Sequence, residues 1–278
     1  MSVSRLMQMG AAGYLVVWTD PDFTNASYDS VSFSVGTQAT QPTGIFFKPD
    51  GTKMYICDYG TDYIYQYSLS TAWDISTASY DSVSFDFTVT AQLLTVFFKP
   101  DGTKLWMIEY DDKDIVRQYS MSTAWDISTL SEDTGTTYTA TGTISAGIWF
   151  KPDGTKMYIP SFSTPYDIKE YSLSTAWDIT SASATGNTLD TSNEGTSVYE
   201  IFMSPDGYKL FTIRSSNDTV HQYNLSSAFD LSTASYSNIS FSVASQETTP
   251  YSLFFKPDGT KMYIAGGVND TIYQYSTD

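Results

Sequence analysis

The chain has 278 residues, of which 41% are hydrophobic, 16% aromatic and only 16% charged, with 22 Tyr and 16 Phe. This composition excludes a disordered chain and favours an all-β fold, because aromatic and β-branched residues are enriched in strands. The formal net charge of -17 disfavours nucleic acid and anionic membranes as partners, since both are negatively charged.

Residues 1–13 precede the repeats of the chain, and we expect them to form an N-terminal arm. The apolar run at 14–18 is too short for a membrane span, so no membrane insertion is expected. The sequence of the next segment, 26–33, recurs unchanged at 78–85. A single folded domain is predicted over 14–278.

The first repeat unit is predicted to contain four strands. Its inner strand spans 44–48, and a Pro-Asp-Gly turn leads into a second strand at 53–58, which holds the only cysteine. Proline presets φ and glycine accepts positive φ, so this turn suits a tight hairpin. A third strand is predicted at 63–67, and a connector leads to a fourth strand near 80–87.

This unit recurs along the whole chain. The turn prolines are Pro49, Pro100, Pro152, Pro205 and Pro257, with spacings of 51, 52, 53 and 52 residues. Such a period is typical of four-stranded propeller blades, which occupy about 40 to 50 residues or slightly more.

The last unit stops at its third strand, 271–275, and the copy of a fourth strand at 26–33 supplies the missing piece. A ring closed in this way leaves no sheet edge bare. We therefore predict a five-bladed β-propeller of four-stranded antiparallel blades, closed by pairing of the N-terminal strand with the last blade.

The recurring patterns are Phe-Lys-Pro-Asp-Gly-Thr-Lys-Met-Tyr, Tyr-Gln-Tyr and Ser-Thr-Ala-Trp-Asp-Ile-Ser. They resemble propeller repeats of the YVTN and NHL types, and especially the mostly uncharacterised repeat proteins of environmental bacteria and their phages. The resemblance implies a propeller fold and a virion or cell-surface location, but no chemistry. In blade number, and in one aromatic-bearing motif per repeat, the chain also resembles the lectin tachylectin.

The loops are predicted to form two contrasting faces. The uniform face carries the Pro-Asp-Gly hairpins and the Trp-containing connectors, whose sequences barely change between units. The variable face carries the loops between second and third strands and the links between blades, which differ in every unit. Nine of the 14 basic residues lie in the uniform hairpins, so the variable face is predicted to be acidic.

Aromatic residues on the variable face are the predicted ligand-binding residues. They are Tyr59, Tyr110, Phe162 and Tyr166 in the loops and Tyr199 and Tyr251 just before inner strands, with Glu200 as the adjacent carboxyl group. Aromatic rings beside polar groups suit sugars or a cationic peptide. The alternative is that they are ordinary loop residues of a Tyr-rich protein.

The connector residues Trp73, Trp125 and Trp177, with Phe229 at the fourth equivalent place, permit two interpretations. They could form several equal sites around the ring, as in multivalent lectins. The favoured interpretation is that each packs between neighbouring blades, because large aromatic side chains are usually buried.

Enzyme chemistry is not expected. The only histidine, His221, is predicted to be a surface substitution, so a metal site built on histidine is excluded. A glycosidase needs two carboxyl groups, and the starts of the inner strands supply only Glu200. The acidic residues at 109–114 are predicted to form a solvated turn rather than a calcium site. No metal and no cofactor are predicted.

The leading hypothesis is a non-enzymatic module that binds a glycan or a protein through the variable face, displayed on a phage particle or bacterial surface. One alternative is a structural or decoration protein of a virion, in which the N-terminal arm docks on another subunit. A glycosidase-like propeller is the second alternative.

Overall fold

A computed structural model describes residues 5–9, 14–87, 92–109, 115–140 and 147–278. Over these residues the chain forms five four-stranded antiparallel sheets around a central axis, with one additional two-stranded sheet. The described residues contain no α-helix and only five short 3₁₀ turns. The prediction of an all-β, five-bladed propeller is confirmed.

The strands follow the chain in this order. The N-terminal hairpin consists of β1 (Arg5–Met9) and β2 (Tyr14–Trp18), and the closing strand is β3 (Ser27–Ser34). Blade 1 contains β4 (Pro42–Phe47), β5 (Lys53–Asp58), β6 (Tyr63–Leu69) and β7 (Ala78–Asp86). Blade 2 contains β8 (Leu93–Phe98), β9 (Lys104–Glu109), β10 (Ile115–Met121) and β11 (Leu130–Thr139).

The remaining blades repeat this plan. Blade 3 contains β12 (Trp149–Phe150), β13 (Lys156–Pro160), β14 (Asp167–Leu173) and β15 (Ala182–Asp190). Blade 4 contains β16 (Val198–Met203), β17 (Lys209–Arg214), β18 (Thr219–Leu225) and β19 (Ala234–Ser242). Blade 5 contains β20 (Pro250–Phe255), β21 (Lys261–Gly266) and β22 (Thr271–Ser276). The 3₁₀ turns are Ile75–Thr77, Ile127–Thr129, Ile179–Ser181, Ser192–Glu194 and Leu231–Thr233.

The ring closes as the sequence predicts. Strand β3 pairs with β22 and becomes the fourth strand of blade 5. On β3, Asp29 accepts hydrogen bonds from the Lys261 ammonium group (2.6 Å) and the Gln274 amide (2.8 Å). Blade 1 has the same arrangement, in which Lys53 and Gln66 donate to Asp81. The N-terminal strand is therefore held in blade 5 by the same contacts as an ordinary fourth strand.

The N-terminal hairpin forms a sheet of its own, with β1 paired to β2 from Arg5↔Trp18 to Met9↔Tyr14. The domain boundary predicted at residue 14 thus lies inside this hairpin. The indole of Trp18 is 1% exposed, and it stacks on Phe202 with ring centroids 6.3 Å apart. The hairpin is consequently joined to blades 4 and 5 at its C-terminal end.

The connector aromatics pack against the turn glycines. Trp73, Trp125, Trp177 and Phe229 all have positive φ, between 58° and 68°. A Cβ atom on Gly51 would lie 2.3 Å from Nε1 of Trp73, so the turn needs glycine for space as well as for its φ of 74°. The Tyr263 hydroxyl of blade 5 donates to the Trp73 carbonyl at 2.6 Å. These contacts make the aromatics packing elements between neighbouring blades.

The prediction for His221 is wrong. Its side chain is 6% exposed and lies beside Asn217 and Tyr236. Burial, with Arg214 nearby, lowers its pKa to about 4, so the imidazole is neutral at pH 7. The sister positions Tyr65 and Tyr273 are each only 9% exposed, which shows that this third-strand position faces the interior in several blades.

Two glycines of positive φ test the packing role of the connector aromatics. Gly102 has a φ of 73° and lies under Trp125, whereas Gly135 has a φ of 82° and a Cβ there would meet nothing within 4 Å. Gly135→Ala should lower the free energy of unfolding by about 1–2 kcal/mol, which is the penalty of a left-handed backbone conformation for alanine. Gly102→Ala should lower the free energy of unfolding by about 1–3 kcal/mol more than Gly135→Ala does, because its methyl group overpacks the Trp125 indole. Urea unfolding measures both, and equal losses would contradict this packing role.

Candidate functional site

A cavity of about 270 Å³ lies at the axis on the variable face. Its lining residues are Gln41, Thr43, Tyr59, Leu94, Tyr199, Tyr251 and Gly267. Three of the tyrosines predicted from the sequence therefore converge in one cavity, and they come from blades 1, 4 and 5.

Four of the seven lining residues lie at β-bulges of the inner strands. In blade 4 the pairing passes from Val198↔Arg214 to Glu200↔Ile213, which leaves Tyr199 as the extra residue. Tyr251 in blade 5 is the extra residue of the same irregularity. Thr43 occupies this place in blade 1, and Leu94 lies within the corresponding register shift of blade 2. A bulge reorients a side chain at the end of a strand, so one recurrent backbone feature builds the cavity wall.

The tyrosines form a contiguous aromatic row. Tyr199 and Tyr251 have ring centroids 4.7 Å apart, and Phe162 extends the row by packing against Tyr199 at 4.8 Å. The Tyr251 ring lies against Gly267, where a Cβ atom would be 2.9 Å from the ring. Burial, followed by the influence of Glu247, raises the pKa of Tyr251. Its hydroxyl is therefore neutral at pH 7 and available for hydrogen bonding.

Buried carboxyl groups hold the segments around this cavity. The backbone N–H of Gln41 donates to the Asp58 carboxylate at 2.6 Å, and that of Thr249 donates to Glu247 at 2.8 Å. A Cβ atom on Gly266 would lie 2.4 Å from the Glu247 side chain, so glycine makes room for it. The link that enters blade 1 is thus anchored by Asp58 of the second strand, whereas the link that enters blade 5 is anchored by its own Glu247.

Other predicted site residues lie elsewhere. Tyr166 is absent from the described cavity lining, and its carbonyl accepts the hydroxyl of Thr191 from the link between blades 3 and 4. Tyr110 lies outside the described residues, as do the acidic residues of the 110–114 segment. Glu109 forms a salt bridge with Arg117 at 3.0 Å. Within the described ranges, no group of three or more His, Cys, Asp or Glu could hold a metal ion.

Glu200 lies in the channel, facing away from the tyrosine-lined cavity. Its carboxyl group accepts the Thr95 hydroxyl of blade 2 at 2.6 Å and the backbone N–H of Ile201 at 3.1 Å. A Cβ atom on Gly147 would be 2.7 Å from Glu200 Oε1, so the long side chain fills space that a glycine leaves open. Burial raises its pKa to about 8, which makes the carboxyl group neutral at pH 7. It lines a second cavity that opens on the uniform face.

Sequence reasoning missed Gln41, Thr43 and Leu94 as cavity residues. A short polar or aliphatic residue in a link between blades carries no signal of its own. The available signal was positional, because Thr43 and Leu94 align with Tyr199 and Tyr251 in the repeat.

No sequence family and no curated protein sequence matches the chain. Solved structures do match. They include a protein from Lactobacillus plantarum, with TM-score 0.53, 15% identity and coverage of 85% of this chain and 67% of that one. A functionally unknown protein from Desulfotomaculum acetoxidans has TM-score 0.51 and 12% identity over 82% of this chain and 63% of that one.

A "putative 6-phosphogluconolactonase" from Bacteroides uniformis has TM-score 0.50 and 16% identity over 87% of this chain and 65% of that one. The chain therefore spans slightly less than two thirds of the length of two of these neighbours. At such identities the similarity shows the propeller fold alone. Among the described residues, no helix is long and apolar enough to cross a membrane.

The buried carboxyl group predicts a pH dependence of stability. Because the folded-state pKa of Glu200 is raised from 4.5 to about 8, its neutral form stabilises the protein below pH 4.5, and this contribution is lost progressively as the pH rises from 4.5 to about 8. Glu200→Gln keeps the shape without the charge. Its free energy of unfolding relative to wild type should rise by up to about 1.4 kcal/mol per pH unit across this window. Denaturant unfolding at several pH values measures the difference, and a pH-independent difference would contradict the assignment.

Proposed function

We propose that this protein is a non-enzymatic binding protein whose ligand, a carbohydrate, occupies the tyrosine-lined cavity of the variable face. The observation that carries the proposal is the convergence of Tyr59, Tyr199 and Tyr251 from three blades on one cavity. Scattered surface tyrosines have no reason to share a cavity, whereas a ligand site at the axis of a ring collects one side chain from each of several blades.

The chemistry of the lining suits a sugar. The C–H face of a pyranose ring packs on aromatic rings, and its hydroxyl groups bond to polar side chains. Gln41 supplies an amide and Thr43 a hydroxyl beside the tyrosines. The volume of about 270 Å³ is near the lower end of small-molecule sites, which span about 300–1,000 Å³. One sugar unit of a longer glycan matches this size.

The lining also supports binding rather than catalysis. The described residues that line the cavity include no carboxyl, imidazole or thiol group that could act as a base or nucleophile, and the nearby carboxyl groups of Asp58 and Glu247 accept backbone N–H groups. Glu200, which follows Tyr199 in the chain, lines the cavity of the opposite face. The lactonase name belongs to fold neighbours at 16% identity, and it brings no site residue to this chain.

A glycan array with purified protein tests the proposal. Tyr199→Ala and Tyr251→Ala should each weaken binding about tenfold or more, because each removes a stacking surface worth about 1–3 kcal/mol when buried. Tyr63→Ala is the matched control, since Tyr63 bonds to Asp86 near the variable face without lining the cavity. Equal binding by Tyr199→Ala and wild type, or equal losses in all three variants, would overturn the site.

A second candidate function rests on the N-terminal hairpin. Its two strands pair only with each other among the described strands, and Val17 is 40% exposed. An isolated two-stranded hairpin is marginally stable alone, so docking on another subunit would stabilise it. This favours an assembly role for the arm, and virion or cell-surface display is the setting that we propose for it.

Removal of residues 1–13 tests the assembly role. Because the blades are held by their own contacts, the truncated protein should keep its melting temperature within a few degrees. Its self-association, or its incorporation into particles when co-expressed with candidate subunits, should be lost. Light scattering and sedimentation measure both. Unchanged assembly after truncation would rule out docking through the arm.

A further inference from the structure

The uniform face has a cavity of its own at the axis, with a volume of about 90 Å³. One aromatic residue from every blade surrounds it, at the first aromatic position of each Phe-Phe-Lys-Pro-Asp-Gly motif. These residues are Phe46, Phe97, Trp149, Phe202 and Phe254. The turn prolines of all five blades also line the cavity. We refer to this cavity as the aromatic pit.

The five rings stand upright around the axis. Centroids of four neighbouring pairs lie 5.2, 5.6, 5.6 and 6.0 Å apart, with interplanar angles of 67°, 72°, 74° and 69°. These angles are close to one fifth of a full turn, as expected for rings related by a five-fold axis. A regular pentagon of this size places each centroid about 5 Å from its centre, within the reach of about 6 Å at which a cation interacts with an aromatic ring.

The floor of the aromatic pit carries one ionisable group, the Glu200 carboxyl. The equivalent positions in the other blades are Gly44, Thr95, Gly147 and Ser252, none of which ionises. Blade 4 also departs from the repeat at the rim, where Ser204 stands in place of the lysine that the other four blades have before the turn. The serine removes a positive charge from the rim, and the carboxyl group adds a negative charge to the pit once it ionises; both departures occur in the same blade.

We propose that the aromatic pit is a binding site for an alkylammonium cation, with Glu200 as its counter-charge. The five aromatic side chains place their ring centroids within the distance at which a cation on the axis is attracted to aromatic rings, and the carboxylate compensates for the water that the cation loses on entry. A cavity of about 90 Å³ equals about three water volumes of about 30 Å³ each, which suits a methylated ammonium head with its chain directed out through the mouth.

A neutral apolar ligand would account for the aromatic lining of the pit but not for the Glu200 carboxyl group. A pit for such a ligand would be best completed by another small or aliphatic side chain, since a buried carboxyl group without a counter-charge among the described lining residues costs stability even when it is hydrogen-bonded. Glu200 is instead a long side chain reaching between Thr95 and Gly147. A cation turns that cost into a favourable contact, because a neighbouring positive charge favours the ionised form of the carboxyl group.

The binding should depend on pH through Glu200. The titratable side chain known to interact with it is the Cys57 thiol, whose pKa is raised by burial, by Glu200 and by Asp58, so the thiol stays neutral. At the rim, four lysines form salt bridges with the aspartates of their own turns, at 2.6–2.7 Å. Although partial burial opposes it, hydrogen bonds from these lysines and from the neighbouring threonines lower the pKa of the four aspartates, so the carboxylates stay ionised above pH 6. Ionisation of Glu200 is therefore the step that limits cation entry over this range.

Titration calorimetry with choline tests the proposal. The matched probe is 3,3-dimethyl-1-butanol, which has the same shape with carbon in place of the cationic nitrogen. Choline should bind at least tenfold more tightly than the alcohol at pH 9. Its affinity should fall about tenfold per pH unit below the pKa of Glu200, because a proton must leave before the cation enters. Equal affinities for the two probes, or no choline binding at pH 9, would overturn the proposal.

Two variants separate charge from shape. Glu200→Gln should lose the preference for choline and its pH dependence, and Trp149→Leu should weaken choline binding several-fold while keeping an apolar wall. Tyr63→Ala, far from the pit lining, should bind choline as wild type does. Wild-type affinity and pH dependence in Glu200→Gln would overturn the role of the carboxylate. This result is independent of the glycan experiment, which concerns the opposite face.

Discussion

A repeated side-chain bridge joins neighbouring blades at three of the five junctions of the ring. In blade 1 the amide of Gln66 donates to Asp81 of its own fourth strand at 2.8 Å, and its carbonyl oxygen accepts the backbone N–H of Ile127 in blade 2 at 3.2 Å. In blade 5 the equivalent Gln274 joins Asp29 to the N–H of Ile75 in blade 1. In blade 3 Glu170 accepts the N–H of Leu231 in blade 4 at 3.1 Å. A buried amide without a hydrogen-bond partner is costly, so each bridging side chain stabilises the contact with the next blade.

The junction between blades 4 and 5 differs, because the N-terminal segment replaces a regular connector there. Among the described residues, the buried carbonyl oxygen of Gln222 has no hydrogen-bond partner.

Because these bridges and the connector aromatics hold the blades together, the ends of the inner strands are free to differ. The bulge position is Thr43 in blade 1 and an aromatic residue in blades 4 and 5, without any change to the sheet that follows it. Diversity of this kind is tolerated because an unpaired bulge residue breaks few ladder hydrogen bonds. The same scaffold thus supports a polar, tyrosine-lined cavity on one face and an apolar pit on the other.

Blade 4 contributes neighbouring residues to the cavities at both ends of the channel. Tyr199 lines the cavity of the variable face and the next residue, Glu200, lines that of the uniform face, because Tyr199 is the unpaired residue of a bulge and Glu200 is the first residue of the regular pairing that follows it. The carboxyl group fills the layer in which Gly44 and Gly147 leave space. A single dipeptide therefore contributes to both cavities while the layer between them stays closed by Glu200 and Thr95.

The sequence alone determined the blade number, the ring closure and the division into two faces, because a repeat with a strict period and a displaced copy of one strand admits few arrangements. It also identified Tyr59, Tyr199 and Tyr251 as candidates. Only the tertiary structure decided that these three share a cavity with Gln41 and Thr43, and that Glu200 belongs to the opposite side. The reason is physical: bulges reorient the residues at the ends of the inner strands, and the packing of the blades around the axis decides which of these residues share a cavity. Burial of His221 was likewise decided by the packing of neighbouring strands, which no single residue type reveals.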